Sequence, residues 1–293
     1  MDFLNGNIRS MYGKYLSAAF GSALIGCIYT MVDTAVVGQY QGPQGTAALA
    51  VVAPCWNLIY SLGLLLGAGG GVIFSTHRGS GTGDGSENQY FTAPVIGAAV
   101  LAVLTWLGIW CFEAPVLTFF GADAELLPLA QTYLKPVKFV FPLFLVNEML
   151  MFFLQTDGNP GRATLAILSG GIFNIFGDIF FVFGCDMGIF GAGLATAIGA
   201  AISTCVMLTH FFSRKNTLCL VKLTHLLHRL REVFATGFST FFVDMAMGIL
   251  TVLFNRQIMK YLGANALSVY GPIIQVRTFA QCCAYSVGQA AQP

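Results

Sequence analysis

Apolar residues are concentrated in eight long runs, and each run approaches or exceeds the roughly 20 residues that a helix needs to cross a bilayer core. Short connectors of polar residues or glycines separate most of the runs. The runs cover residues 16–38, 47–75, 91–112, 133–155, 163–184, 189–212, 235–255 and 266–290. This pattern predicts an all-α polytopic membrane protein, and we number the predicted spans one to eight.

Composition favours a membrane as the solvent of this chain. Of its 293 residues, 56% are hydrophobic and 9% are charged, whereas soluble domains carry about 25% charged residues. The net charge of +1 gives no reason to expect nucleic acid as a partner. The eight cysteines show no C-x-x-C or Cys/His ligand spacing, so we expect no cofactor. We expect the chain to be embedded in the lipid bilayer.

The longest connector, 213–231, is the best candidate for a boundary between larger units. We therefore expect a first lobe of six helices with its cytoplasmic loop over residues 1–232, and the start of a second lobe over 233–293.

Basic residues remain on the cytoplasmic side of short loops. The loops 39–46, 113–132 and 185–188 contain no Lys or Arg. Basic residues flank the opposite ends of the spans: Arg9, Lys14, Arg78, Arg162, Arg214, Lys215, Lys222, Arg229 and Arg231. The exceptions are Lys135 and Lys138 at span four and Arg256 and Lys260 at span seven. This distribution predicts an inner-membrane protein with a cytoplasmic amino terminus.

A repeated segment indicates two parallel halves. The stretch 45–54 and the stretch 263–272 share five of ten residues, 218 positions and six spans apart. An even number of spans per repeat gives halves related by an axis along the membrane normal, a common plan among transporters. Since the second copy has only begun when the sequence ends, we expect this chain to be a fragment of a longer transporter.

Four polar side chains are predicted at one depth inside the membrane, where an ionisable group costs about 2.5–3.5 kcal/mol on insertion scales. They are Asp33 in span one, Asn174 and Asp178 in span five, and Thr196 in span six. At 1.5 Å per residue, Asp33, Asp178 and Thr196 fall roughly 7–11 Å below the outer surface. Asn174 is one helical turn deeper and on the same helix face as Asp178.

Two carboxylates in a low-dielectric site cannot both be ionised cheaply. Such a pair can bind a proton, a Na⁺ ion or an organic cation, and competition among these is the minimum requirement of an antiporter. The alternative is structural: either Asp could cap a kink or bind a neighbouring backbone group, and Thr196 could bond to its own helix.

Three more ionisable residues are placed in the spans. Asp244 in span seven and Arg277 in span eight both fall near mid-membrane. They are candidates for a buried ion pair or for a substrate site of the second lobe, and the sequence leaves both open. Glu148 lies near the cytoplasmic end of span four, where we expect its side chain to reach the interface.

Several stretches together resemble the multidrug and toxic compound extrusion (MATE) family. The resemblance runs along nearly the whole chain, and its strength is in the ordered set because each piece alone is weak. The stretches are 32–38 followed by 48–50, 157–160, 174–178 followed by 188–196, and 289–293.

The resemblance implies twelve spans in two six-helix lobes, about eight of which are present here. It also implies export of cationic or amphipathic small molecules in exchange for H⁺ or Na⁺. The first-lobe cation pocket of the family matches Asp33, Asn174, Asp178 and Thr196, which would also be the Na⁺ site. We expect a monomer. Substrate identity and the choice of ion remain open.

Two other functional classes are disfavoured. A lipid-linked oligosaccharide or lipid II flippase of the same superfamily would need several basic residues to meet a pyrophosphate, and the first lobe has acids at depth instead. A membrane-embedded enzyme would need a nucleophile–base pair or metal ligands in the membrane. The four histidines lie near or beyond helix ends, so we do not expect an enzyme.

Overall fold

A computed structural model describes residues 8–80, 86–261, 273, 277–282, 284, 286 and 287. In this part of the chain the regular structure is entirely helical, which confirms the all-α prediction. The long helices are α1 Ile8–Gly79, α2 Gln89–Phe119, α3 Leu126–Thr156, α4 Pro160–Asp178, α5 Gly188–Leu208 and α6 Leu226–Tyr261. Two 3₁₀ turns, Ser86–Asn88 and Thr209–Phe212, and a π-helical turn, Ile179–Gly184, complete the path.

Helix α1 is two membrane segments joined at a sharp break. Gly42 has φ 70° and ψ −160°, a backbone region that is essentially restricted to glycine, and Pro43 follows it. The break divides α1 into a first segment (8–41) and a second segment (43–79), which coincide with predicted spans one and two.

Six helical stretches of the described chain are long and apolar enough to cross a membrane, with α1 counted once. Predicted spans one to seven therefore all fall on described helices. Span eight and the repeat copy at 263–272 lie mainly outside the described residues, so the count of eight and the division at residue 232 stay predictions.

Helix α3 forms the centre of the bundle. Its residues from Met149 to Gln155 are all buried, and the Phe153 ring has edge-to-face contacts with Phe74 and Phe91 at centroid distances of 6.0 and 5.0 Å. In contrast, α2 exposes large apolar side chains over most of its length, among them Val100, Leu104 and Leu107. An outer helix with such a face is suited to contact with hydrocarbon.

The structure explains one exception to the distribution of basic residues. The Lys138 ammonium lies 2.5 Å from the Glu113 carboxylate, and both side chains are about nine-tenths buried. The same ammonium is 5.2 Å from the centroid of the Trp110 ring. Because its charge is paired with that of Glu113, Lys138 does not have to lie on the cytoplasmic side of the membrane as an unpaired basic residue would.

A buried polar cluster joins four segments at the end of the bundle where α3 and α5 terminate. The Asp157 carboxylate accepts hydrogen bonds from Arg78 at 2.9 Å, from the Thr217 N–H at 3.1 Å and from the Thr217 hydroxyl, and it contacts His210 Nε2 at 2.7 Å. The side chains of Asp157 and His210 are fully buried. Asn159 in turn contacts the other ring nitrogen of His210 at 3.2 Å. We call these five residues the Asp157 cluster.

The connector between α5 and α6 lies along the start of α2 and the turn before it. Beyond Thr217, the Cys219 N–H donates to Asn88 at 3.0 Å and the Val221 N–H donates to Thr92 at 3.0 Å. Helix α6 then begins at Leu226, nine residues before predicted span seven. Its first turns carry His228, Arg229, Arg231 and Glu232, which interrupt the apolar run.

Helix α6 packs on the second segment of α1 through glycines that let the two backbones touch. A Cβ added to Gly69 would lie 2.2 Å from the Val233 carbonyl oxygen, and one added to Gly237 would lie 2.0 Å from the Leu65 oxygen. Contacts of this kind between small residues are typical of membrane helix pairs. Gly69 belongs to the glycine-rich stretch 67–71 of the second segment.

We expect Gly69→Ala to weaken the α1–α6 contact, because backbone atoms cannot yield as a flexible side chain does. Overpacking of this kind costs about 1–3 kcal/mol. Gly71→Ala is the matched control, since its added Cβ would lie 3.4 Å from Thr156 Cγ2, an ordinary contact. Thermal unfolding of the purified protein in detergent should show a lower midpoint for Gly69→Ala alone. Equal midpoints for the two variants would contradict the packing argument.

Candidate functional site

Close backbone contacts bring α3, α4 and α5 together around the predicted polar residues. A Cβ on Gly170 would lie 2.1 Å from Ser203 Oγ and 2.5 Å from the Gly199 oxygen, so α4 and α5 cross with their backbones close together. A Cβ on Gly193 would lie 2.1 Å from the Tyr133 oxygen, which places α3 against α5 in the same way. These contacts determine which faces of the helices turn inward.

Asp178 occupies the last position of α4, where the helix changes to the π-helical turn Ile179–Gly184. Asp178 has no solvent exposure. Neither of its carboxylate oxygens has a hydrogen-bond partner among the described residues. Single π-helical turns inside α-helices are frequent at functional sites. Here the turn lies directly after the buried acid.

Hydrogen bonds link the other polar residues across four helical segments. The Asn174 amide donates to the Thr196 hydroxyl at 3.1 Å. The Tyr133 hydroxyl lies 3.3 Å from Asp33 Oδ2 and 3.4 Å from the Thr196 hydroxyl. Asp33 is also close enough to Asp178 for their charges to interact. We call Asp33, Tyr133, Asn174, Asp178 and Thr196 the coupling pocket.

The pocket has more acceptors than donors. Four buried oxygens lack a partner within the described part of the chain: Asp33 Oδ1, Asn174 Oδ1 and both oxygens of Asp178. An unsatisfied buried polar atom costs about 1–3 kcal/mol, so four in one place favour a bound proton or cation. Hard metal ions prefer oxygen ligands of this type. Among the described residues, this pocket included, no group of three or more His, Cys, Asp or Glu could hold a metal ion, so any cation here would rely on amide and hydroxyl oxygens beside the two carboxylates.

All four residues predicted for the cation site thus meet in the structure, and their role stays a prediction. Tyr133 was missed by the sequence argument. It opens predicted span four, where a tyrosine is usual at the interface, and nothing in the sequence indicates that its hydroxyl turns inward.

A cavity of about 240 Å³ adjoins the coupling pocket. Asn174 and Thr196 belong to its wall. Its other lining residues come from α1, α3, α4 and α5: Ala23, Gly26, Tyr29, Tyr60, Phe144, Asn147, Glu148, Met151, Ile167, Gly170, Gly171, Gly199, Ala200, Ser203 and Met207. Glu148 therefore lines this cavity, in contrast to the expectation that it reaches the interface. Crossing of α3 against α1 and α5 turns its face inward.

Asp244 and Arg277 have other contacts in the structure. Asp244 accepts a hydrogen bond from the Ser61 hydroxyl, and Arg277 Nη2 lies 3.6 Å from the Met247 sulfur. Among the described residues, no nitrogen–oxygen pair within 4.0 Å joins Asp244 to Arg277. Their proposed part in a second site stays a prediction.

Comparison with known proteins finds a matching family model and similar multidrug export proteins. The model of the MatE family matches residues 18–180. The multidrug export protein MepA of Staphylococcus saprophyticus is 25% identical over 253 residues, which are 85% of this chain and 55% of the relative. MepA of Staphylococcus aureus MW2 is 25% identical over 251 residues, with the same coverage. This chain thus spans about half the length of these curated relatives.

Solved structures share the fold. The MATE multidrug transporter DinF-BH, determined with R6G, has a TM-score of 0.88 at 24% identity, and the match covers 98% of this chain and 64% of that protein. A MOP superfamily transporter from Pyrococcus furiosus has a TM-score of 0.85 at 19% identity, with 98% and 64% coverage.

Proposed function

Because this chain belongs to the MatE family, whose members are multi-pass membrane transporters and not enzymes, we propose that it exports cationic or amphipathic small molecules in exchange for H⁺ or Na⁺. The coupling pocket supports this proposal most directly. Four buried oxygens without hydrogen-bond partners form an acceptor-rich site that a proton or a small cation would satisfy.

The exchange would follow from the chemistry of the two acids. A coupling ion bound between Asp33 and Asp178 neutralises charge that is otherwise isolated from water, and its release restores that charge. The Tyr133 and Thr196 hydroxyls and the Asn174 amide would hold the acids in register. Since binding differs between the two charge states, a transmembrane ion gradient would bias the conformations that open to each side.

We further propose that the protein resides in the inner membrane as a monomer with its amino terminus in the cytoplasm. Basic residues at the ends of the helices support this orientation, and pairing of Lys138 with Glu113 removes one of the exceptions.

A flippase function is less favoured by the same cavity. Its described lining contains one carboxylate and no Lys or Arg, whereas a pyrophosphate headgroup would require positive charge. This lining is suited to a cationic or neutral occupant.

The test is accumulation of ethidium in cells that lack their own efflux pumps. The 293-residue chain and a chimera that continues with the carboxyl-terminal part of MepA would be expressed at matched levels. We expect the chimera to lower ethidium accumulation, and collapse of either the proton or the Na⁺ gradient to restore it. Unchanged accumulation, or export that is insensitive to both gradients, would contradict the proposal.

A further inference from the structure

The cavity is elongated along the helix axes. On α5 its wall extends from Thr196 to Met207, which is about 16 Å at 1.5 Å per residue. One end is the coupling pocket, where Asn174 is 3% exposed and its Oδ1 has no partner among the described residues. Between the ends the wall is mainly apolar, with Phe144, Met151 and Ile167 among its residues.

The one carboxylate of the described wall lies away from the coupling pocket. Glu148 follows Tyr133 on α3 by 15 residues, about four helical turns, and no described residue forms a hydrogen bond or ion pair with it. Its position is determined by tight packing, since a Cβ on Gly63 would lie 2.5 Å from Glu148 Cβ. Asp244 is near enough for its charge to act on Glu148, so two acidic residues lie close together at this end of the cavity.

Two buried acids outside the coupling pocket, Glu113 and Asp157, differ from Glu148 in having charged partners. Glu113 pairs with Lys138, and Asp157 pairs with Arg78 and His210. A structural carboxylate in the membrane would need such a partner, because an isolated charge there is costly. Glu148 instead borders an open space, with the Tyr29 and Tyr60 side chains in the same wall. Tyrosine rings attract cations through their faces within about 6 Å.

We propose that the Glu148 end of the cavity is a separate binding site for a small organic monocation, with the Glu148 carboxylate as its charge partner. This inference rests on the proposed export function and specifies its substrate. The volume of about 240 Å³ is below the range of about 300–1,000 Å³ that holds drug-sized ligands. A quaternary ammonium with one aromatic ring matches this space better than a large dye.

Two cations then occupy opposite ends of one cavity. The organic cation pairs with Glu148, and the coupling ion pairs with Asp33 and Asp178. The two ions need not share a carboxylate, so they influence each other through charge across the cavity and not by direct displacement.

The experiment is equilibrium binding of radiolabelled benzyltrimethylammonium to the purified chain in lipid nanodiscs. We expect saturable binding that Glu148→Gln weakens at least tenfold and that Glu148→Asp, which keeps the charge, partly restores. Glu87→Gln, in the turn Ser86–Asn88, is the matched control and should bind as the unchanged chain does. Neopentylbenzene, the uncharged isostere, should not compete. Circular dichroism and size-exclusion chromatography would verify that each variant is folded.

Asp178→Asn separates this inference from the proposed function. We expect it to lose coupled export while it still binds benzyltrimethylammonium. Binding that survives Glu148→Gln but is lost in Asp178→Asn would overturn the separate site, and the export proposal would stand. Absence of saturable binding by the unchanged chain would also overturn the site, while the ethidium assay decides the export function independently.

Discussion

Asp178→Asn is expected to reduce ethidium export to the level of cells without the protein, in the MepA chimera described above. The amide has the size of the carboxylate but can neither take up a proton nor offer two anionic oxygens to a cation. Both Asp178 oxygens are buried without partners among the described residues, so no neighbouring group would replace them. Asp33→Asn should have the same effect, because Asp33 contributes the other charge.

The control is Asp123→Asn at the start of α3. The Asp123 carboxylate accepts the N–H groups of Glu125 and Leu126 at 3.0 and 2.8 Å, and asparagine is an equally good helix cap. This variant should export normally at matched membrane expression. If Asp33→Asn and Asp178→Asn both export as well as the control, the pocket is structural and the coupling assignment is wrong.

Asp157→Asn is expected to be the most destabilising of the substitutions considered. It removes the negative charge that Arg78 and His210 both contact and weakens the attachment of the connector at Thr217. Asp157 is fully buried but the Arg78 side chain is 42% exposed, so we expect a cost below the about 3–5 kcal/mol that a fully buried ion pair loses with one partner. The measurement is the unfolding midpoint in detergent, followed by light scattering or by tryptophan fluorescence.

Asp186→Asn provides a matched comparison for this prediction. Asp186 accepts a hydrogen bond from Tyr40 at 2.6 Å in an exposed setting, and a solvent-exposed pair contributes little to stability. Its midpoint should stay close to that of the unchanged protein. A small effect of Asp157→Asn, similar to that of Asp186→Asn, would show that the Asp157 cluster does not hold the bundle ends together.

The two acids probe different properties of the molecule. Asp178 is buried without partners, so its replacement should leave stability unchanged or raise it while function is lost. Asp157 is buried with every oxygen engaged, so its replacement should lower stability first. An inverse result, with Asp178→Asn unfolding early, would indicate that the coupling pocket serves the fold.

The sequence predicted that three polar residues on different helices lie at one level. The bilayer requires helices of a set length, so counting residues from the end of each span placed Asp33, Asp178 and Thr196 at one level. The structure joins this level through Tyr133, which contacts both Asp33 and Thr196. Counting along a helix could not give the direction of a side chain, and Tyr133 was missed for that reason.

Rotation about the helix axis also decided the position of Glu148. The same residue could reach the interface or line a cavity, depending on which face of α3 turns inward. The close contacts of α3 with Gly63 and Gly193 fix that face. Each contact joins residues far apart in the sequence, and an apolar run shows no preference between its faces.

By itself, the sequence determined an all-helical membrane protein and the helices that carry its polar residues, because hydrocarbon imposes length and polarity on each span separately. Only the tertiary structure decided the partners: Lys138 with Glu113, Asp157 with Arg78 and His210, and Asp178 with none among the described residues. Partners depend on how helices rotate and cross, and that is set by packing between small residues on different helices.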